Sequence, residues 1–146
     1  MPRFDRRHGF FAAAMAVGFA LLTPLHAHEG ATGPTAARMA GMGELGQAFK
    51  LVRTLAPDAP AADRTSAIDR LIAEAMAIPA LFADRDLPAI SEALPAIWAQ
   101  PAQFDAAATE LIEAARALTD NWADDTASAR VATACRACHD QFRAKK

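Results

Sequence analysis

The chain has 146 residues, with 15 Lys and Arg against 17 Asp and Glu, and a formal charge of −2 at pH 7. A slightly acidic chain of this size fits one modest domain and gives no support for nucleic-acid binding. It has no Tyr and only two Cys, both within the last dozen residues.

The first segment reads as an export signal. Arg3, Arg6 and Arg7 form a positive start, Gly9 to Leu22 is an apolar run, Pro24 breaks it, and Leu25-His26-Ala27 is an acceptable cleavage site. The alternative is a retained membrane anchor, but the run is short for a membrane span and no second apolar segment follows. Cleavage is expected between Ala27 and His28, with delivery to the periplasm and no membrane contact afterwards. Removing residues 1–27 takes away Arg3, Arg6, Arg7 and Asp5, which leaves 12 basic and 16 acidic residues and a formal charge of −4. Of the four His, only His28 and His139 remain.

Residues 28–146 read as one helical domain, rich in Ala, Leu, Glu and Arg and without an alternating strand pattern. The first helix is expected from Thr35 to Leu55. Met39, Met42, Leu45, Phe49 and Val52 make its apolar stripe, and Pro57 and Pro60 close it. The second starts near Asp63 as N-cap and carries Ile68, Leu71, Ile72, Ala75 and Met76, with Pro79 stopping or bending it. An irregular crossover from Leu81 to Pro101 follows. The third helix steps by fours and threes through Phe104, Ala108, Leu111, Ala115, Leu118 and Trp122, a bundle seam. The fourth runs from Asp124 to Arg143 and places Val131, Cys135, Cys138, His139 and Phe142 on one face. Four helices, each apolar on one side, predict an all-α, antiparallel four-helix bundle.

Cys135-Arg136-Ala137-Cys138-His139 is a C-x-x-C-H pentapeptide, the attachment signature of c-type haem. Two thiols add to the two vinyl groups of one porphyrin, and the adjacent imidazole ligates the iron. On a helix, positions i, i+3 and i+4 share a face, so Cys135, Cys138 and His139 are expected to point together into the bundle. A thioredoxin-like redox pair would need a βαβ setting that the chain does not show. A disulfide between i and i+3 of a helix is geometrically awkward, and Cys135, Cys138, His139 and His28 make a poor zinc set. One covalent haem c is the expected cofactor. Burying it would add much apolar area to a small Ala-rich core, so the apoprotein is expected to fold poorly.

The chain also resembles the class II cytochromes c, that is, cytochrome c′ and its low-spin relatives. The resemblance lies in the C-terminal Cys-Arg-Ala-Cys-His-Asp-Gln-Phe-Arg with Arg143 four after the His, in Pro95-Ala96-Ile97-Trp98 followed by Phe104, and in Arg38-x-x-x-Met42-x-x-x-Gly46-x-x-Phe49 near the start. It covers nearly the whole mature chain. It implies a haem c held in the bundle with His139 as the axial iron ligand, and a homodimer through the first two helices. It also implies Arg38 near the haem propionates, Met39 beside the haem, and Glu92 near the haem edge.

The residues themselves leave several of these roles open. Arg38 is suited to pairing with a carboxylate, or is an ordinary solvated arginine. Arg143 either tunes the His139 imidazole or complements the helix dipole. Trp98 and Phe104 read as core packing. Gly41 and Gly43 are expected to let the first helix approach the haem closely, and Leu51 and Leu55 to supply an apolar dimer surface.

Met42 decides between two functions. The resemblance places it on the distal side of the haem. If its sulfur does not bond, the iron is five-coordinate and open to small uncharged gases such as nitric oxide or carbon monoxide. If it does, a His139/Met42 pair makes a low-spin one-electron carrier, and Met39 is the other sulfur on the same stripe. The open site is the favoured reading. In either case the protein is expected to be an electron-transfer partner of other redox proteins and not an enzyme, because the stripe offers no distal acid or base.

Overall fold

A computed structural model describes residues 30–145. The expected signal peptide and its cleavage site lie outside the described residues. Four long helices and one short one follow in order: α1 Gly33–Thr54, α2 Ala61–Leu81, α3 Ala96–Ala99, α4 Pro101–Asn121 and α5 Asp125–Phe142.

Prolines set most of the boundaries. Pro34 sits in the first turn of α1 and Pro101 opens α4, positions where the missing N–H loses nothing. Pro60, not Asp63, is the N-cap of α2. The helix starts at Ala61 and Asp63 falls in its first turn, where a carboxylate complements the helix dipole. Pro79 does not stop α2, which continues to Leu81. At the start of α5 the Asp124 side chain accepts from the Thr126 N–H at 2.8 Å, the cap expected from the sequence. The crossover is not wholly irregular, since Pro95 leads into the single turn of α3.

The long helices pack in a ring with one open side. α1 packs on α2, α2 on α4, and α4 on α5, whereas α1 and α5 are not a packed pair. The six-residue α1–α2 link and the short α4–α5 link make those partners antiparallel, and the result is an antiparallel four-helix bundle. Leu71, Leu118 and Val131 are fully buried at its centre, with Ala48, Ala75 and Ala115 where helices approach closely. Two expectations for the core need correction. Met76 lies on the surface at 54% exposure, because Ala67 and Ile78 supply the buried face of α2 together with Ile68, Leu71 and Ala75. Leu51 is exposed as expected, but Leu55 is half-buried and packs on the core.

One end of the bundle gathers the start of α1, the end of α2, the crossover and the end of α5. There the crossover is stitched to α5 by backbone hydrogen bonds from Leu94 N–H to Phe142 O at 2.9 Å and from Ala144 N–H to Glu92 O at 2.8 Å. Phe104 sits edge-on between Phe82 and Phe142, with centroids 5.2 and 5.3 Å away.

Candidate functional site

The gap between α1 and α5 is a cavity of about 400 Å³. Every site residue singled out from the sequence lines it: Arg38, Met39 and Met42 from α1, Glu92 from the crossover, and Cys135, Cys138, His139 and Arg143 at the end of the chain. Side chains over a hundred residues apart in sequence are thus brought to one space.

On the α5 wall the i, i+3, i+4 spacing does what the helix period requires. Both cysteines are free and half-buried. Burial raises the pKa of each thiol, and for Cys138 the neighbouring Cys135 adds to the rise. Both are therefore neutral thiols at pH 7. His139 is more exposed, at the cavity's edge. Partial burial lowers its pKa, Arg143 lowers it further, and Asp140 opposes them. The imidazole is thus held neutral at pH 7, with a ring nitrogen free to ligate a metal. Among the described residues no group of three or more His, Cys, Asp or Glu is placed to hold a metal ion.

On the facing wall, α1 presents Met39, Met42, Gly43, Gly46 and Phe49. A Cβ added at Gly43 or Gly46 would meet nothing within 4 Å, so the missing side chains leave room on the cavity side. Gly41 does not share that role. A Cβ there would lie 2.4 Å from Leu81 Cδ1, so Gly41 lets α1 approach the end of α2 instead of the haem. Leu45, Leu71, Ile97, Phe104 and Leu111 complete an apolar floor. Two thiols and an imidazole on one wall, a small-residue cradle on the other and an apolar floor fit a flat macrocycle tied by thioethers.

Arg38 is almost fully buried and serves as a hub. Its guanidinium donates from Nε to Leu81 O at 3.1 Å, from Nη1 to Asp86 O at 2.5 Å and from Nη2 to Asp84 O at 2.8 Å. It also lies 5.3 Å from the Trp98 ring centroid and 5.5 Å from that of Phe82. It is no solvated arginine: it caps the C-terminal end of α2, where carbonyl dipoles favour a cation. Trp98 is a half-buried packing residue, as expected, and its Nε1 donates to Phe82 O at 2.8 Å.

Glu92 and Arg143 form an ion pair, with Arg143 Nε donating to Glu92 Oε2 at 2.8 Å. The sequence offered no reason to join these two. Both side chains are partly exposed, so Glu92→Gln is expected to lower stability by less than about 1 kcal/mol. Urea unfolding at low and high salt checks this, since the difference from the parent should shrink as salt screens the pair.

Sequence reasoning missed Thr35. It lies in the first turn of α1, is 1% exposed and lines the cavity. Among the described residues its Oγ1 is the one buried side-chain polar atom with no hydrogen-bond partner, a situation that costs about 1–3 kcal/mol. The signal for it was its spacing, three residues before Arg38 and four before Met39.

No curated protein matches the chain. Solved structures do. A triple variant of cytochrome c′ from Rhodopseudomonas palustris is 29% identical, with a TM-score of 0.59 over 79% of this chain and all of that one. Two single-residue variants of cytochrome c′ from Alcaligenes xylosoxidans are also similar. The nitric oxide complex of one is 24% identical, with a TM-score of 0.65 over 80% of this chain and 99% of that one. The carbon monoxide complex of the other is 22% identical, with a TM-score of 0.65 over 77% and 94%. The sequence model of the cytochrome c′ family matches residues 34–143, which include the pentapeptide and both walls of the cavity. The chain therefore belongs to the cytochrome c′ family and carries one covalent haem c.

Proposed function

We propose that a cleavable signal peptide over residues 1–27 exports the protein to the periplasm, and that residues 28–146 form a cytochrome c′-type haem domain. Its iron is five-coordinate, held by His139, and takes up small uncharged gases such as nitric oxide or carbon monoxide. One observation carries this reading. Across the cavity from His139, the α1 wall holds no imidazole, thiol, amine or carboxylate, and Gly43 and Gly46 leave open space beside the two thioethers of Met39 and Met42. The gas complexes of the structural neighbours support it.

When bound, the haem supplies a one-electron couple and a coordination position. The chain's residues do the rest. Cys135 and Cys138 tie the ring edge, His139 offers a neutral imidazole, and the apolar walls disfavour charged ligands. The Glu92–Arg143 pair ties the crossover beside the site. Arg38, Met39 and Arg143 shape the haem surroundings as cavity residues. The α1 wall brings no acid or base, which suits electron exchange with redox partner proteins and gas binding, not turnover as an enzyme. Among the described residues no helix is long and apolar enough to cross a membrane. Exposed Leu51 on α1 and Met76 on α2 suit a homodimer through those helices.

A second reading is favoured by the place of Met42 on that wall: its sulfur is the sixth ligand, and the protein is a low-spin electron carrier. Optical spectra separate the two. The five-coordinate site is expected to be high-spin and to shift on adding carbon monoxide. A low-spin spectrum that ignores carbon monoxide and turns high-spin in Met42→Ala would establish the second reading. A low-spin spectrum unchanged by Met42→Ala would move the ligand to Met39.

A further inference from the structure

Thr35 is one of the residues lining the cavity, and its buried Oγ1 has no partner. Its surroundings favour an anion. The start of α1 has no side-chain cap and no acidic residue in its first turn, so its positive end is uncompensated. One turn on, Arg38 brings a buried guanidinium whose hydrogen bonds all go to neutral carbonyls. Among the described residues the one carboxylate on the cavity wall, Glu92, is ion-paired to Arg143. α2 and α4 contribute only Leu71, Phe104 and Leu111 to the walls, so no other charge from those helices faces Thr35.

We propose that Thr35 Oγ1 donates a hydrogen bond to a propionate carboxylate of the haem, with Arg38 supplying positive field beside it. The first turn of α1 thereby anchors the acidic edge of the ring. The ring's vinyl groups belong to Cys135 and Cys138 on α5, and its carboxylates lie on another edge. An iron-bound gas is not the acceptor. Thr35 precedes Met42, which the proposed function sets on the distal side of the iron, by seven residues, about 10 Å along a helix axis. This inference rests on haem c being held as described above and is independent of the sixth ligand.

Resonance Raman spectra of the holoprotein test it through the propionate bending bands. Thr35→Val keeps the side-chain shape and removes the hydroxyl; Thr35→Ser keeps the hydroxyl. The propionate band is expected to move to lower frequency in Thr35→Val and to stay at its parent position in Thr35→Ser. A band unmoved in Thr35→Val, with the haem still attached, overturns the role of Thr35 alone, whereas a parent protein with no covalent haem overturns the haem reading beneath it. If Thr35→Val yields no holoprotein, a crystal structure of the parent holoprotein decides. Oγ1 within hydrogen-bond distance of a propionate oxygen supports the proposal, and Oγ1 bonded to water or to a backbone carbonyl overturns it.

Discussion

Replacing Cys135 and Cys138 together with alanine is expected to leave the chain without covalent haem and without a cooperatively folded bundle. α1 and α5 do not pack on each other, and the space between them measures about 400 Å³. That space opens to solvent on one side, so without haem its apolar lining stays in contact with water and the burial a haem would add is lost. A small domain has only about 5–15 kcal/mol of stability in all. The three packed helix pairs rest on a core of many alanines, which gives little reserve against such a loss. Retention of haem colour after denaturation, read beside far-UV circular dichroism and urea unfolding, tests the expectation. A haem-free double variant with full helicity and a sharp unfolding transition would sink it. A single Cys→Ala variant keeps one thioether and should fall between the two.

Arg38→Met carries the next largest expected effect, a loss of about 3–5 kcal/mol in the stability of the holoprotein. The aliphatic stem is kept, so the difference isolates the guanidinium. Removing it strands three carbonyls, Leu81 O, Asp84 O and Asp86 O, that converge on one buried group. It also removes the cation between the Trp98 and Phe82 rings. Arg38→Lys should recover little, because one ammonium cannot span three acceptors set for a planar fork. Urea unfolding followed by circular dichroism reads the loss; a value below about 1 kcal/mol in Arg38→Met would show that the hub is incidental.

Arg38 also shows where reading the chain stops. Its residue type suited a carboxylate partner, and the chain alone left a solvated arginine open as well. The partners themselves are backbone carbonyls 43 to 48 residues away, and a carbonyl carries no signature in a sequence. Glu92 and Arg143 met in the same way: each was a candidate alone, and only the stitching of the crossover to the end of α5 joined them. Gly41 and Gly43 looked alike in sequence, two apart around Met42. Helical rotation sends Gly41 toward Leu81 and leaves Gly43 on the haem side.

What the sequence determined by itself is what depends on spacing along one helix. The period of 3.6 placed Cys135, Cys138 and His139 on one face, and the four apolar stripes required four helices around a core. Capping at Asp124 was equally local. Tertiary structure decided what lies opposite that face: which helix stands off from α5, which glycines open the wall, and that Thr35 ends buried with an unanswered hydroxyl. These follow from how helices distant in sequence pack, and packing depends on the shapes of surfaces that no single segment contains.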